Sequence, residues 1–433
     1  MDYARRLRER ARRGDPVRVL VIGMGKFATM FASRIPRIEG IELSAVVDLD
    51  TSRAAANMKR AGWSDADLSR VLFEHDLARA FDRALVDVVV EATGHPLAAI
   101  DHALAAFERE LPVVMVTVEA DALCGPALAE EARRAGVPYS LAWGDQPALI
   151  CDLVDWARTN GFAVVAAGKG TKYLPAYHTS TPDTVWEHWG IDPARARAGG
   201  MNPKMYNSFL DGTKSAVEMA AVANATGLSA PHDGLLFPPA GTSRLATVLR
   251  PAEEGGVLEK KGVVEVVSSL ERDGRPIPDD LRLGVYVVVE ADHAYVSACL
   301  EEYGMVADPL RRYTALWRPN HLIGLELATS VASVALDGIP TGSPIAWRAD
   351  VAACAKRDLE PGEELDGEGA YTVWGRLVPA SRAAAERLLP IGLAHGVRLA
   401  RRVEAGRLLT LDDVEELPEN EAVRLRRRLV PAG

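Results

Sequence analysis

Val17 to Ile22 (VRVLVI) form a short apolar run that breaks directly into Gly23-Met24-Gly25-Lys26-Phe27-Ala28, after which Met30, Phe31 and Ile35 return at helical spacing. A buried strand, a tight glycine turn and a helix in that order open a dinucleotide-binding unit. Gly23 permits the turn, Gly25 lets the backbone approach a pyrophosphate, and Ala28 allows close packing of helix on strand. Lys26 and Phe27 complete the candidate cofactor turn. Ile41 to Val47 (IELSAVV) gives a second strand ending at Asp48, where an acidic side chain meets the adenosine ribose. Asp48 read alone favours NAD. Thr51, Ser52 and Arg53 follow immediately and can hold the extra phosphate of NADP if Asp48 turns away, so the sequence accommodates either nicotinamide.

Three further strands follow: Val86 to Val90, stopping at Glu91-Ala92-Thr93-Gly94-His95-Pro96; Val113 to Val118, ending at Glu119-Ala120-Asp121; and Pro138 to Ala142, before Trp143-Gly144-Asp145-Gln146-Pro147. Strand ends of this kind line the ligand crevice, which assigns Thr93 and Gly94 to the nicotinamide end and adds Glu119 to the cofactor contacts. The expected fold class is α/β. A doubly wound Rossmann domain spans residues 1–150, an α+β substrate-binding and catalytic domain spans 151–338, and a small β-rich domain spans 339–433.

The chain of 433 residues is 48% apolar and 25% charged, enough for two or three packed domains. Its net charge of -10 argues against a nucleic-acid partner, although Arg5 to Arg13 is locally basic and reads as a helix leading into the first strand. That segment lacks the apolar core of a signal peptide, and no apolar run reaches bilayer length. Cys124, Cys151, Cys299 and Cys354 are scattered without metal-ligand spacing, which points to a reducing cytoplasmic location.

The candidate chemistry lies further along. Asp211, Lys214 and Glu218 fall at i, i+3 and i+7 beside Val217, Met219, Ala220 and Val222, so on a continuous helix a lysine sits between two carboxylates against an apolar wall. A solvated salt-bridge ladder has the same spacing. Ala163 to Ala167 reads as a strand emptying into Gly168-Lys169-Gly170-Thr171-Lys172, a lysine pair placed to cradle an anionic substrate. Lys204 and Asn207 lie on the approach to the same helix, and Asp145 and Gln146 at a strand end are placed to contact substrate hydroxyls. Tyr177, His178, Asp183, Glu187 and His188 lack recognised metal spacing and read as loop anchors. Beyond Val285 to Glu290 a helix is expected over Trp317 to Leu336. Val351 to Leu365 and Val397 to Leu409 then rhyme as short strands closed by glycine turns.

The segments GMGKFA, VVVEATGHP, VTVEADALCGP, GDQPALICDLVDW, GKGTKYLP, NPKMYNSFLDGTKSAVEMA and RPNHLIGLE resemble the homoserine-dehydrogenase-like oxidoreductases that carry a C-terminal SAF domain. Within that group the chain most resembles the DXR-like reductoisomerases, and the likeness spans nearly its whole length. The resemblance implies reduction of a sugar phosphate, of the 1-deoxy-D-xylulose 5-phosphate to 2-C-methyl-D-erythritol 4-phosphate type, with NADP or alternatively NAD. Homoserine dehydrogenases place one lysine after the strand matching Val113 to Val118, where this chain has Glu119 and Ala120, and a second after an aspartate, matched by Asp211 and Lys214. Homoserine is therefore not the expected substrate.

For such a reaction Lys169 and Lys172 are assigned to the anionic end of the substrate. Lys214 is assigned to oxyanion stabilisation or proton donation, Asp211 and Glu218 to orienting it or moving protons, and Lys204 and Asn207 to supporting roles. A divalent metal held by Asp145, Asp211 or Glu218 is the alternative to a lysine electrophile. The expected partners are a small, phosphorylated substrate and further copies of the chain, with neither nucleic acid nor membrane. The competing readings are a dehydrogenase of another polyol, sugar phosphate or hydroxy acid, and a non-catalytic nicotinamide- or carbohydrate-sensing protein.

Overall fold

A computed structural model describes residues 2–429. The chain compacts into two units that do not follow consecutive blocks of sequence. One comprises Met1–Leu149, His321–Ile345 and Arg424–Arg428, and the other is built chiefly from Ile150–Asn320 and Ala346–Val423.

In the first unit six strands, β1 (Val17–Ile22), β2 (Ile41–Val47), β3 (Leu72–Glu74), β4 (Val88–Glu91), β5 (Val113–Met115) and β6 (Tyr139–Leu141), lie in the order β3-β2-β1-β4-β5-β6. Every pair is parallel. Covered on both faces, β1, β4 and β5 read as nearly unbroken valine-rich runs. The order reverses between β1 and β4, which opens a crevice at their carboxyl ends. β5 is shorter than the sequence suggests. The chain leaves the sheet at Val116 and Thr117, and helix Val118–Arg134 begins at once, so Glu119 and Asp121 occupy its first turn.

Asp121 is fully buried. One carboxyl oxygen accepts a hydrogen bond from Tyr139 Oη at 2.9 Å and the other has no hydrogen-bond partner. Burial pushes its carboxyl up to about 7, against the Tyr139 hydrogen bond. The folded value lies above the unfolded one, so this stability is complete below about pH 4 and is lost as pH rises towards 7. Asp121→Asn does not titrate and is expected to gain on the parent by about 2.5 kcal/mol between pH 5 and pH 8. Urea midpoints at the two pH values check this, and an equal loss in both proteins would refute it.

The second unit contains β7 (Ala163–Thr171), β8 (Val263–Ser268), β9 (Val285–Glu290) and β10 (Tyr313–Arg318) in the order β10-β9-β7-β8, with only β7 and β8 parallel. β7 runs through Gly168-Lys169-Gly170-Thr171 instead of ending at Ala167. A Cβ on Gly168 would lie 1.7 Å from the Glu265 carbonyl oxygen, and one on Gly170 would lie 2.1 Å from that of Leu281. These glycines therefore admit neighbouring backbone and do not form a loop. Trp317 lies in β10, and the helix expected from Trp317 is confined to Ala328–Asp337 of the first unit.

Helix Pro203–Leu210 leads through Gly212, at φ +93°, into helix Thr213–Thr226. All of the latter except Lys214 and Ala225 is buried. Its alanines and serine allow close approach to β7 and β8 and also to two later strands, β11 (Ala349–Ala355) and β13 (Val373–Pro379), which pair antiparallel. β12 (Glu364–Asp366) and β14 (His395–Arg398) form a second antiparallel pair, so these four strands make a small β module within the second unit.

Candidate functional site

The crevice of the first unit is built on the glycine turn. Gly23 has φ +85°, and a Cβ there would lie 2.8 Å from Thr93 Cα. Gly25 begins helix Lys26–Arg34 in extended conformation and offers no side chain to cap it, while a Cβ at Gly25 would meet nothing within 4 Å. Uncapped first-turn N–H groups facing open space fit a pyrophosphate. Ala28 is buried beneath, Phe27 packs on the core, and Lys26 is exposed. Gly23→Val is expected to abolish nicotinamide binding, measured by fluorescence of the bound reduced cofactor; retained affinity would dismiss this turn as the site.

Asp48 is turned into the loop. One oxygen accepts from Met24 N at 2.8 Å, and the other from Asp50 N at 2.9 Å and from the Arg53 guanidinium at 3.1 Å. Burial works to raise its carboxyl, but the Asp50 and Met24 N–H groups and Arg53 outweigh this and hold it below the usual range. Arg53 itself is 62% exposed. At the other end, Thr93 Oγ1 donates to Glu91 at 2.6 Å, and Gly94 N donates to Thr117 Oγ1 at 3.0 Å. Thr117 Oγ1 donates in turn to the second Glu91 oxygen. Glu91, fully buried, thus fixes the turn that carries Thr93 and Gly94. Its only sequence signal is a lone acid closing a valine run. Glu119 is half-buried in a helical first turn, and Asp145 accepts from Gln146 N at 2.9 Å at the start of helix Gln146–Thr159.

In the second unit the carboxylates separate. Asp211 caps helix Pro203–Leu210 and precedes the left-handed Gly212, so it does not share a helix with Lys214. One Asp211 oxygen accepts from Thr213 N at 2.9 Å and the other from Lys356 Nζ at 2.8 Å. Lys214 and Glu218 do share a helix, one turn apart on one face. Lys169 Nζ donates to Glu218 in a pair whose side chains are 5% and 3% exposed.

The Lys169–Glu218 pair is thus buried against that helix, while Lys214 is partly open to solvent. Lys172 lies elsewhere. Its ammonium donates to the His188 carbonyl at 2.5 Å and sits over Trp189, and burial together with Arg282 depresses its pKa. Asn207 is fully buried, exchanging hydrogen bonds with Ser180 and donating to the Gly369 carbonyl at 3.0 Å. Lys204 is exposed on the first turn of its helix.

His178 Nδ1 donates to the Asp211 carbonyl at 2.7 Å, which fixes the tautomer and leaves Nε2 to accept from Tyr173 Oη at 2.9 Å. Its ring stacks on Trp374 at 3.8 Å. Burial holds His178 below the ordinary imidazole range, against the Asp211 carbonyl and carboxylate. Tyr173 stacks on Phe237 at 4.0 Å, and the buried Glu265 accepts from Phe237 N at 3.3 Å. Among the described residues no three His, Cys, Asp or Glu side chains converge to hold a metal ion. The carboxylates of Asp211 and Glu218 are each engaged by a lysine.

A family model described as "Oxidoreductase DRL, catalytic domain" matches residues 144–327, less than half of the chain. With the nucleotide-binding sheet, this match classes the protein as an NAD(P)-dependent oxidoreductase. Among solved structures it is similar to an amine dehydrogenase from Mycobacterium smegmatis (12% identity over 76% of this chain and 94% of that one, TM-score 0.40). A probable dehydrogenase from Thermotoga maritima shares 14% identity over 75% and 90% of the two chains, with TM-score 0.38. An NAD binding oxidoreductase from Klebsiella pneumoniae shares 19% identity over 36% and 43%, with TM-score 0.29, so this chain spans less than half of its length. No curated protein matches the chain. No helix among the described residues is long and apolar enough to cross a membrane.

Proposed function

We propose that the protein is an NADPH-dependent reductase or reductoisomerase of a sugar phosphate, of the 1-deoxy-D-xylulose 5-phosphate type. The observation that carries this reading is the buried Lys169–Glu218 pair against helix Thr213–Thr226, whose first turn presents Lys214. Reduced nicotinamide supplies a hydride when bound. Lys214, partly open at the helix start, holds the substrate carbonyl oxygen and supplies the proton that the resulting alkoxide takes up. Lys169 pairs with Glu218, which leaves the Lys214 ammonium for an enediolate or phosphate. With Asp211 and Glu218 both engaged by lysines, an ammonium rather than a divalent ion is the electrophile in this reading. The four free cysteines fit a reducing cytoplasm.

NADP is favoured because the Arg53 guanidinium, paired with Asp48, is itself mostly exposed and so within reach of the extra phosphate. Arg53→Ala is expected to raise KM for NADPH about tenfold with little change for NADH. An equal change for both would assign Arg53 to the loop alone. The engagement of Lys172 by His188 favours a second reading, a dehydrogenase of a non-phosphorylated polyol or hydroxy acid. Loss of reduced-nicotinamide absorbance with 1-deoxy-D-xylulose 5-phosphate and NADPH decides between them. Turnover supports the first reading, whereas cofactor binding without turnover rejects that substrate and turns the search to polyols.

A further inference from the structure

Lys356 follows β11 in the C-terminal module and lies 145 residues from Asp211, yet its ammonium is buried and saturated. It donates to the Asp211 carboxylate at 2.8 Å, to the Ser180 carbonyl at 2.8 Å and to the Ala370 carbonyl at 2.7 Å. An ammonium has three protons, so each contact uses one. The other Asp211 oxygen holds Thr213 N, the first residue of the helix that presents Lys214. The same junction is tied to the module by Gly375 N donating to Thr213 Oγ1 at 2.8 Å and by Trp374 stacked on His178.

We propose that Lys356 is a positioning residue of the site: it fixes the first turn of helix Thr213–Thr226 and neutralises Asp211, the carboxylate three residues before Lys214. This rests on the role given to Lys214 above. It also gives the β module a task at the site, because the module supplies the counter-charge that the catalytic segment lacks. The charged groups on elements packed against this helix are Lys169 on β7, Glu265 on β8, Asp350 and Lys356 at β11, Arg376 on β13 and Lys204 on the preceding helix. Of these, Lys356 is the one hydrogen-bonded to the Asp211 carboxylate.

The test reads Lys214 directly and needs no substrate. Reductive methylation of Lys214 by formaldehyde is followed by mass spectrometry across pH, with NADPH binding as the fold control and turnover on 1-deoxy-D-xylulose 5-phosphate recorded alongside. In Lys356→Met the bare Asp211 charge holds Lys214 protonated, and labelling below the midpoint falls about tenfold or more. In Asp211→Asn the uncompensated Lys356 acts with the opposite sign and labelling rises. Lys356→Met combined with Asp211→Asn returns towards the parent. Unchanged labelling in Asp211→Asn, which retains side-chain hydrogen bonding if Lys356→Met fails to fold, overturns the proposal. A labelling shift without turnover upholds it while removing the sugar-phosphate reading.

Discussion

Lys169→Met is expected to destabilise the second unit by about 3–5 kcal/mol, the largest stability loss foreseen for a single side-chain change here. Lys169 and Glu218 are almost wholly withdrawn from water between β7 and helix Thr213–Thr226. Their mutual attraction offsets two desolvation costs, and removing one partner leaves the other cost standing. The arithmetic of the pair separates this cause from simple loss of packing. Lys169→Met combined with Glu218→Leu removes both charges at similar volume and is expected to recover most of the loss. Urea unfolding followed by hydrogen exchange at β7 amides isolates the transition of this unit. A double variant no more stable than the single one would show that the pair is not responsible. Both variants are expected to turn over substrate poorly, since each removes the Lys169 charge from the proposed site.

The nucleotide-binding sheet was legible because its strands are buried on both faces and so read as continuous valine runs, with glycines where the chain must turn. Strand ends were less legible. Val116, Thr117 and Val118 continue the β5 pattern in composition, yet Thr117 is drawn off to Glu91 and the helix starts there. The opposite error arose in β7, where Gly168 and Gly170 look like loop residues and are in fact spaces into which neighbouring carbonyls fit. The helix shared by Lys214 and Glu218 was readable from their spacing. The partition of charges was not, because Asp211 is separated from them by a left-handed glycine and answered by Lys356 from a distant strand. Local pattern carries no mark of a lysine that will be buried by partners so far along the chain. Asn207 likewise resembles an approach residue until Ser180 and Gly369 consume its amide.

Lys214→Ala is expected to lower kcat by about 10²–10⁴-fold while leaving NADPH affinity and the unfolding midpoint close to the parent. The separation follows from placement. Lys214 is one of only two residues of its helix not buried, so truncating it opens no cavity, and alanine favours the helix. The glycine turn that fits the cofactor lies in the first unit and does not depend on it. Lys214→Arg distinguishes the two tasks given to the ammonium. Arginine keeps the positive charge but holds its proton at all working pH values. Partial recovery of kcat by arginine would assign Lys214 to oxyanion stabilisation alone. A loss as deep as in Lys214→Ala, together with disappearance of the basic limb of the pH profile, is the outcome expected if the lysine gives up a proton in the rate-limiting step. Unimpaired turnover in Lys214→Ala would remove this residue from the chemistry and leave the Lys169–Glu218 pair as the charged core of the site.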